Sequence, residues 1–259
     1  MNLPAITTIL KSTRETTGIK TITFGYPGTI VPGQFFMVWI PGVDEIPMSV
    51  SFIKEDVRGI TFRNIGDATN VLYTLKPGCK IGIRGPFGNG FSLNGTNLLF
   101  VGGGTGAAMI APAVELARKR KLKSTVIIGV KTKRELFFVD RLRRTGATVL
   151  VATDDGSKGF KGFASDLAKS ILQKEKIDAV FTCGPEPMMK SLLSACKNIS
   201  FQASLERYMK CSMGICGQCC IGKGLRVCVD GPVFEGITLR QIEDFGVYRR
   251  DPAGRKKPI

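Results

Sequence analysis

Four cysteines crowded into 18 residues constrain this chain more than any other feature: Cys211, Cys216, Cys219 and Cys228, spaced C-x4-C-x2-C-x8-C. The first three follow the spacing of plant-type [2Fe–2S] loops, where a short glycine-rich turn surrounds the cluster and a fourth Cys arrives from further along. Gly214 and Gly217 stand between the ligands, where small residues let the backbone curl and aim N–H groups at sulfur. A structural zinc site usually shows two C-x2-C knuckles, and this segment has one. A disulfide pair calls for an oxidising compartment. Chance clustering of buried thiols is the remaining alternative. The spacing favours iron–sulfur over these three. The short gap to Cys228 predicts a tight hairpin around Gly222-Lys223-Gly224, with Cys220 a bystander.

Histidine is absent altogether. That excludes Ser-His-Asp and Cys-His catalysis and every His-ligated metal site, so bound cofactors must carry most of the chemistry. The net charge of +16 raises the question of nucleic acid. Residues 118–144 hold eleven basic and two acidic residues, but they straddle a strand-like run and lack a recognition-helix pattern. A solvated basic face, or docking of an acidic protein partner, is expected instead, with no nucleic acid. The opening MNLPAITTILKST lacks a basic-then-apolar leader pattern. The longest apolar stretch, Leu98 to Ala117, is broken by glycines and Pro112. A cytoplasmic protein with no membrane span is expected.

The texture changes along the chain. Residues 1–95 carry short alternating runs separated by Pro-Gly turns, which predict an antiparallel β-barrel or sandwich, with a short helix at Thr69 to Leu75. From Asn97 to about residue 200, strands alternate with helices, which predicts a doubly wound parallel α/β sheet. Residues 201–240 look too short and too rich in cysteine to form a core, so metal is expected to organise them. Residues 241–259 form a basic tail, expected to be mobile or docked on a partner. The fold class is therefore multidomain α+β.

Four further groups of residues are candidates for ligand binding. Gly102-Gly103-Gly104-Thr105-Gly106 follows a strand and opens a helix, the place where phosphate can meet unpaired backbone N–H groups; a structural tight turn would read the same way. Cys183-Gly184-Pro185 ends the last parallel strand, at the carboxyl edge. Pro47-Met48-Ser49 places a hydroxyl in what reads as a Pro-constrained loop. Arg63 with Gly66, Ala68 and Thr69 could supply a cation, N–H groups and a hydroxyl to a diphosphate.

Taken in order, these segments resemble the ferredoxin-NADP reductase superfamily, and within it the electron-transfer subunits of type B dihydroorotate dehydrogenases. Further carriers are Gly85-Pro-Phe-Gly-Asn-Gly-Phe91, Thr153-Asp-Asp-Gly156, and Ser204-Leu-Glu-Arg-Tyr-Met-Lys-Cys211 through Cys228-Val-Asp-Gly-Pro-Val-Phe234. The resemblance implies an FAD-binding barrel, an NAD-binding α/β domain and a [2Fe–2S] loop. It implies that Pro47 to Ser49 face the flavin ring and Thr69 its diphosphate. Gly102 to Gly106 would hold the pyridine-nucleotide phosphates, and Cys183 to Pro185 would line the nicotinamide pocket. One departure stands out: Ile46 occupies the position where the family has Arg, so Arg63 or backbone donors must compensate. The implied partner is an FMN-containing dihydroorotate dehydrogenase subunit, in a heterotetramer of two plus two, serving pyrimidine biosynthesis. The sequence discriminates weakly against an NAD(P)H–ferredoxin oxidoreductase or sulfhydrogenase subunit, and a zinc-stapled nucleotide-binding regulator is the non-enzymatic alternative.

Overall fold

The computed structural model describes residues 3–259. Six antiparallel strands close the N-terminal barrel: β1 (Ala5–Thr16), β2 (Ile19–Gly25), β3 (Phe35–Ile40), β4 (Asp44–Lys54), β5 (Val57–Arg63) and β6 (Lys80–Phe87). Their order around the barrel is β1-β2-β5-β4-β3-β6. Alternation along the strands turns Ile22, Phe24, Phe36, Val38, Val50 and Ile60 inward into one apolar cluster. Between β5 and β6 a short helix, α1 (Asp67–Thr74), adds Leu72 to that cluster.

The Pro47-Met48-Ser49 segment differs from its expectation: it is strand, not loop. Pro47 lies inside β4, opposite Met37 of β3. Pairing of β4 with β5 begins only at Val50, so residues 44–49 have one free edge. A proline, which has no N–H to donate, is tolerated on such an edge. Ile46 and Met48 pack on the barrel core.

The second layer system runs β7 (Asn97–Gly103), α2 (Gly106–Lys119), β8 (Lys123–Val130), α3 (Val139–Arg143), β9 (Thr148–Thr153), β10 (Phe160–Lys161), α4 (Ala164–Lys174), β11 (Ala179–Cys183), α5 (Glu186–Ala195) and β12 (Ser200–Ser204). Beyond it lie β13 (Cys220–Ile221), β14 (Leu225–Arg226), β15 (Val233–Glu235), α6 (Gly236–Leu239), β16 (Tyr248–Arg250) and β17 (Lys256–Pro258). The sheet order is β10-β9-β8-β7-β11-β12-β15, parallel except for β15. Strands β7 and β11 are buried on both faces, hence their near-continuous apolar composition. The chain moves outward from β7 through β8 to β10, then returns to the other side at β11. The topological switch point therefore falls between the carboxyl ends of β7 and β11, where Gly102 pairs with Cys183.

The cysteine segment has more protein support than its sequence predicts. β15 joins the central sheet, and Leu205, Met209, Cys219, Val227 and Phe234 share one apolar cluster with Val101, Val180 and Leu192. Asn89, in the segment leaving the barrel, accepts from Val233 N–H and donates to the Asp230 carbonyl, at 3.0 and 3.2 Å. The basic tail is not a free arm. β16 and β17 form a hairpin, tied to the cysteine loop by Gln218 donating to the Asp251 carbonyl. No helix among the described residues is long and apolar enough to cross a membrane.

Candidate functional site

A cavity of about 770 Å³ opens at the switch point, within the ordinary range for ligand pockets. Its floor is backbone. Gly103, Gly104 and Thr105 line it from β7 and the turn into α2, and Gly184 and Pro185 line it from the end of β11. The two loops touch so closely that side chains are excluded: a Cβ on Gly106 would lie 2.0 Å from the Cys183 carbonyl oxygen, and one on Gly184 would lie 2.9 Å from Gly103 Cα. Gly104 differs, with φ +55° and nothing within 4 Å of its Cβ position, so space opens above it. No side chain caps α2; the Ala107 and Ala108 N–H groups turn back to the Gly104 and Thr105 carbonyls, which leaves the Gly106 N–H and the positive end of the helix to an anion. This backbone cradle fits a nucleotide diphosphate.

The five glycine-loop residues thus divide by task. Gly103 to Thr105 face the cavity, whereas Gly102 and Gly106 are packing positions against Ala107 and Cys183. Cys183 itself lies behind the wall, fully buried. Burial, then the nearby Glu206 charge, push its thiol well above the ordinary value. It is no nucleophile.

A second, smaller cavity of about 240 Å³ adjoins the first. Pro47, Met48 and Ser49 line it on the free edge of β4, with Phe35, Arg63 and Thr69. Apolar walls with a guanidinium and a hydroxyl at one rim suit a flat aromatic ring joined to a phosphate. Thr69 is less free than its sequence suggests. Its hydroxyl accepts from the Ile65 and Gly66 N–H groups and donates to the Gly66 carbonyl, closing the turn into α1. Gly66 and Ala68 stand outside the cavity lining, Ala68 packing on the barrel core. Arg63 reaches across to Glu135, 3.1 Å away on the nucleotide-domain side.

Arg63, Thr105 and Glu206 line both cavities, so the two meet at these three side chains. Glu206 was not singled out from sequence. Its one signal was its place in the Ser204-to-Cys211 run that carries the family resemblance. The side chain is exposed to the cavities it borders. The protein walls around those cavities raise its carboxyl above the ordinary value, Arg249 lowers it and Glu186 raises it. Arg249, Pro258 and Ile259 also border the larger cavity, which brings the basic hairpin to the site.

Leu205, Glu206 and Met209 line the smaller cavity, in the loop that leads directly into the cysteine segment. There the cysteines meet in pairs: the Cys216 backbone lies against the Cys211 sulfur, and the Cys228 backbone against the Cys219 sulfur. Among the described residues, no three Cys, Asp or Glu side chains converge as ligands of a single ion. Four thiolates offered by one glycine-bearing loop and its hairpin suit a dinuclear cluster. Gly214 and Gly217 hold φ of +74° and +70°, the left-handed turns this wrapping needs. Met213 and Cys216 donate their N–H groups to Cys211 Sγ at 3.4 and 3.5 Å, and Cys228 N–H donates to Cys219 Sγ at 3.4 Å. Burial pushes the Cys211 thiol up, but these amides outweigh it and bring it down to about 6. Cys228, shielded from water and beside Cys219, is pushed up to about 12. The expected hairpin is present as β13 and β14, turning through Gly222 and Gly224 at positive φ.

Comparison with known proteins bears on the same segments. Residues 206–240 match the family model described as the iron-sulfur cluster binding domain of dihydroorotate dehydrogenase B. The chain is 44% identical to a probable dihydroorotate dehydrogenase B (NAD(+)) electron transfer subunit of Methanocaldococcus jannaschii, over 99% of each protein. It is also 44% identical to the protein of that description from Methanothermobacter thermautotrophicus, over 100% of this chain and 98% of the relative. Among solved structures it resembles an NADH-dependent reduced ferredoxin-NADP oxidoreductase studied for flavin-based electron bifurcation. That match has a TM-score of 0.82 and 28% identity, covering 94% of this chain and 91% of the other.

Proposed function

The chain belongs to the family of dihydroorotate dehydrogenase B (NAD(+)) electron transfer subunits, and from that premise we propose that it relays electrons from a dihydroorotate-oxidising subunit to NAD⁺ in pyrimidine biosynthesis. The observation that carries this reading is continuity. The larger cavity, the smaller cavity and the cysteine loop are joined without a gap through Arg63, Thr105, Glu206 and the run Leu205 to Met209.

When bound, the cluster exchanges electrons singly, and the flavin exchanges them singly with the cluster or as a pair with the nicotinamide. Residues of this chain supply the positioning. Gly103, Gly104 and the N-terminus of α2 hold the pyridine-nucleotide diphosphate, with Gly184 and Pro185 walling the nicotinamide end. Asp154 and Asp166 border the same cavity, so a 2′-phosphate would meet two carboxylates beside Lys131. That supports NAD over NADP. Pro47 to Ser49 flank the flavin ring, and Arg63 takes the diphosphate role that Ile46 cannot. Cys211, Cys216, Cys219 and Cys228 hold the [2Fe–2S] cluster.

The partner is an FMN-containing catalytic subunit, in a heterotetramer of two plus two. The test is anaerobic co-purification of the chain with that subunit, followed by dihydroorotate-driven reduction of NAD⁺. NADH is expected only when both subunits are present; a complex that holds all cofactors yet forms no NADH contradicts the proposal. The structural likeness to the bifurcating oxidoreductase supports a second reading, a subunit of an NAD(P)H–ferredoxin oxidoreductase. Co-purification with a ferredoxin-reducing subunit in place of the dihydroorotate-oxidising one would favour it.

A further inference from the structure

We infer that Arg84, in the barrel, is a positioning residue for the cluster: it fixes the Cys211 end of the cysteine loop against the flavin-side barrel and holds its potential up. The inference rests on the reading that the four cysteines carry a [2Fe–2S] cluster.

Arg84 sits in β6, opposite Met37, and is 8% exposed. Its guanidinium makes a two-pronged pair with Glu45, Nε to Oε1 at 2.9 Å and Nη2 to Oε2 at 2.7 Å. The remaining arm, Nη1, donates across the domain boundary to the Cys211 carbonyl at 3.2 Å. The flat face of the group lies over the Phe87 ring, 5.1 Å from its centroid. All three guanidinium nitrogens thereby donate a hydrogen bond, and a lysine could not reproduce the fork.

Other donors near Cys211, the Met213 and Cys216 amides, belong to the loop itself. Arg84 is the barrel's contribution. An arginine keeps its charge at any pH a folded protein meets. Buried charges act strongly because little water screens them, and hydrogen bonds and net charge around the sulfurs set the potential of an iron–sulfur centre. Glu45 is the counterweight: its carboxylate takes the Nε and Nη2 side of the guanidinium, whereas the Cys211 carbonyl takes Nη1. The positive end of the pair therefore points at the ligand, which favours the reduced, more negative cluster.

That polarity makes a two-sided test. The midpoint potential of the cluster is measured by anaerobic redox titration of the holoprotein, followed by electron paramagnetic resonance. Arg84→Gln leaves Glu45 unopposed beside the loop, and the midpoint should fall. A change of about tenfold in the one-electron reduction equilibrium, ~59 mV, is the expected size. Glu45→Gln leaves the guanidinium unopposed, and the midpoint should rise. Arg84→Lys keeps the charge and loses the fork, so its midpoint should stay nearer wild type than that of Arg84→Gln. Midpoints that do not move, or that move the same way in Arg84→Gln and Glu45→Gln, overturn the inference; a loop merely loosened would do the latter. Should Arg84→Gln fail to fold, Glu45→Gln decides by sign: a midpoint that rises supports the inference, and one that falls or stays overturns it. A wild-type protein with no reducible iron–sulfur signal would instead overturn the cluster reading on which the inference stands.

Discussion

At the nucleotide crevice, a methyl group on Gly106 would lie 2.0 Å from the Cys183 carbonyl oxygen; in the cysteine loop, Gly214 and Gly217 are required by φ values of +74° and +70°. The first glycine is a matter of space and the others a matter of backbone conformation. The contrast extends to the whole of each region. The crevice is shaped by main chain packed on main chain at the switch point of a parallel sheet, so its form does not depend on what fills it. The loop is shaped around side chains whose protonation is mismatched: Cys211 is brought to about 6, while Cys228 is pushed up to about 12. One region is finished by folding, the other by its cofactor.

Replacing a ligand should separate the two regions most sharply. Cys216→Ser is expected to bring iron and acid-labile sulfide to background, while NADH affinity of the crevice, measured by calorimetry, stays within about threefold of wild type. Loss of NADH binding along with iron would show that the crevice depends on the cluster after all.

The pin between the regions comes next. Glu186 opens α5 beside the crevice and pairs with Arg207, whose side chain is 2% exposed, and it also accepts from Gly246 N–H at 2.8 Å. Glu186→Ala strands a buried guanidinium. A loss of about 3–5 kcal/mol in chemical denaturation is expected, with both NADH affinity and iron retention reduced. Gly106→Ala should act on the crevice alone, costing roughly 2–3 kcal/mol and weakening NADH binding with iron content unchanged.

The smallest effect lies beneath the crevice. Asp178 accepts from the Thr96 and Asn97 N–H groups at 2.8 and 2.9 Å, joining the start of β7 to that of β11. These bonds, Thr96 first, hold its carboxyl below the ordinary 3.8. A lowered folded-state value means stability present above 3.8 and lost as pH falls through the lower value. Asp178→Asn should therefore lower the melting temperature at pH 7, with the deficit closing on acidification; a deficit independent of pH would assign the contact to shape alone.

The same contrast explains what could be read beforehand. The hairpin of the cysteine loop was legible because its glycines and the cysteine spacing are local, whereas the packing of that segment on the central sheet was not. The alternating strands and helices from Asn97 onward were legible for the same reason, through period and punctuation. What stayed hidden depends on contacts distant in sequence. β12 carries Ser200, Gln202 and Ser204, a polar pattern for a buried strand, and Gln202 is accommodated by two hydrogen bonds to Ser92. Pro47 reads as a loop residue until the free edge of β4 is seen. Glu206 and the basic hairpin reach the cavities through topology that no local pattern announces. Cys183 shows the converse: its motif marks the right edge of the sheet, but the thiol is turned into the core.

The most direct test of the central claim, that one chain joins the crevice to the cluster, is anaerobic addition of NADH to the purified holoprotein, with the cluster followed by electron paramagnetic resonance. A reduced-cluster signal is expected to appear with NADH in the wild type and to be absent in Cys216→Ser. A cluster that dithionite reduces but NADH leaves oxidised, in protein that binds NADH and retains flavin, would contradict it.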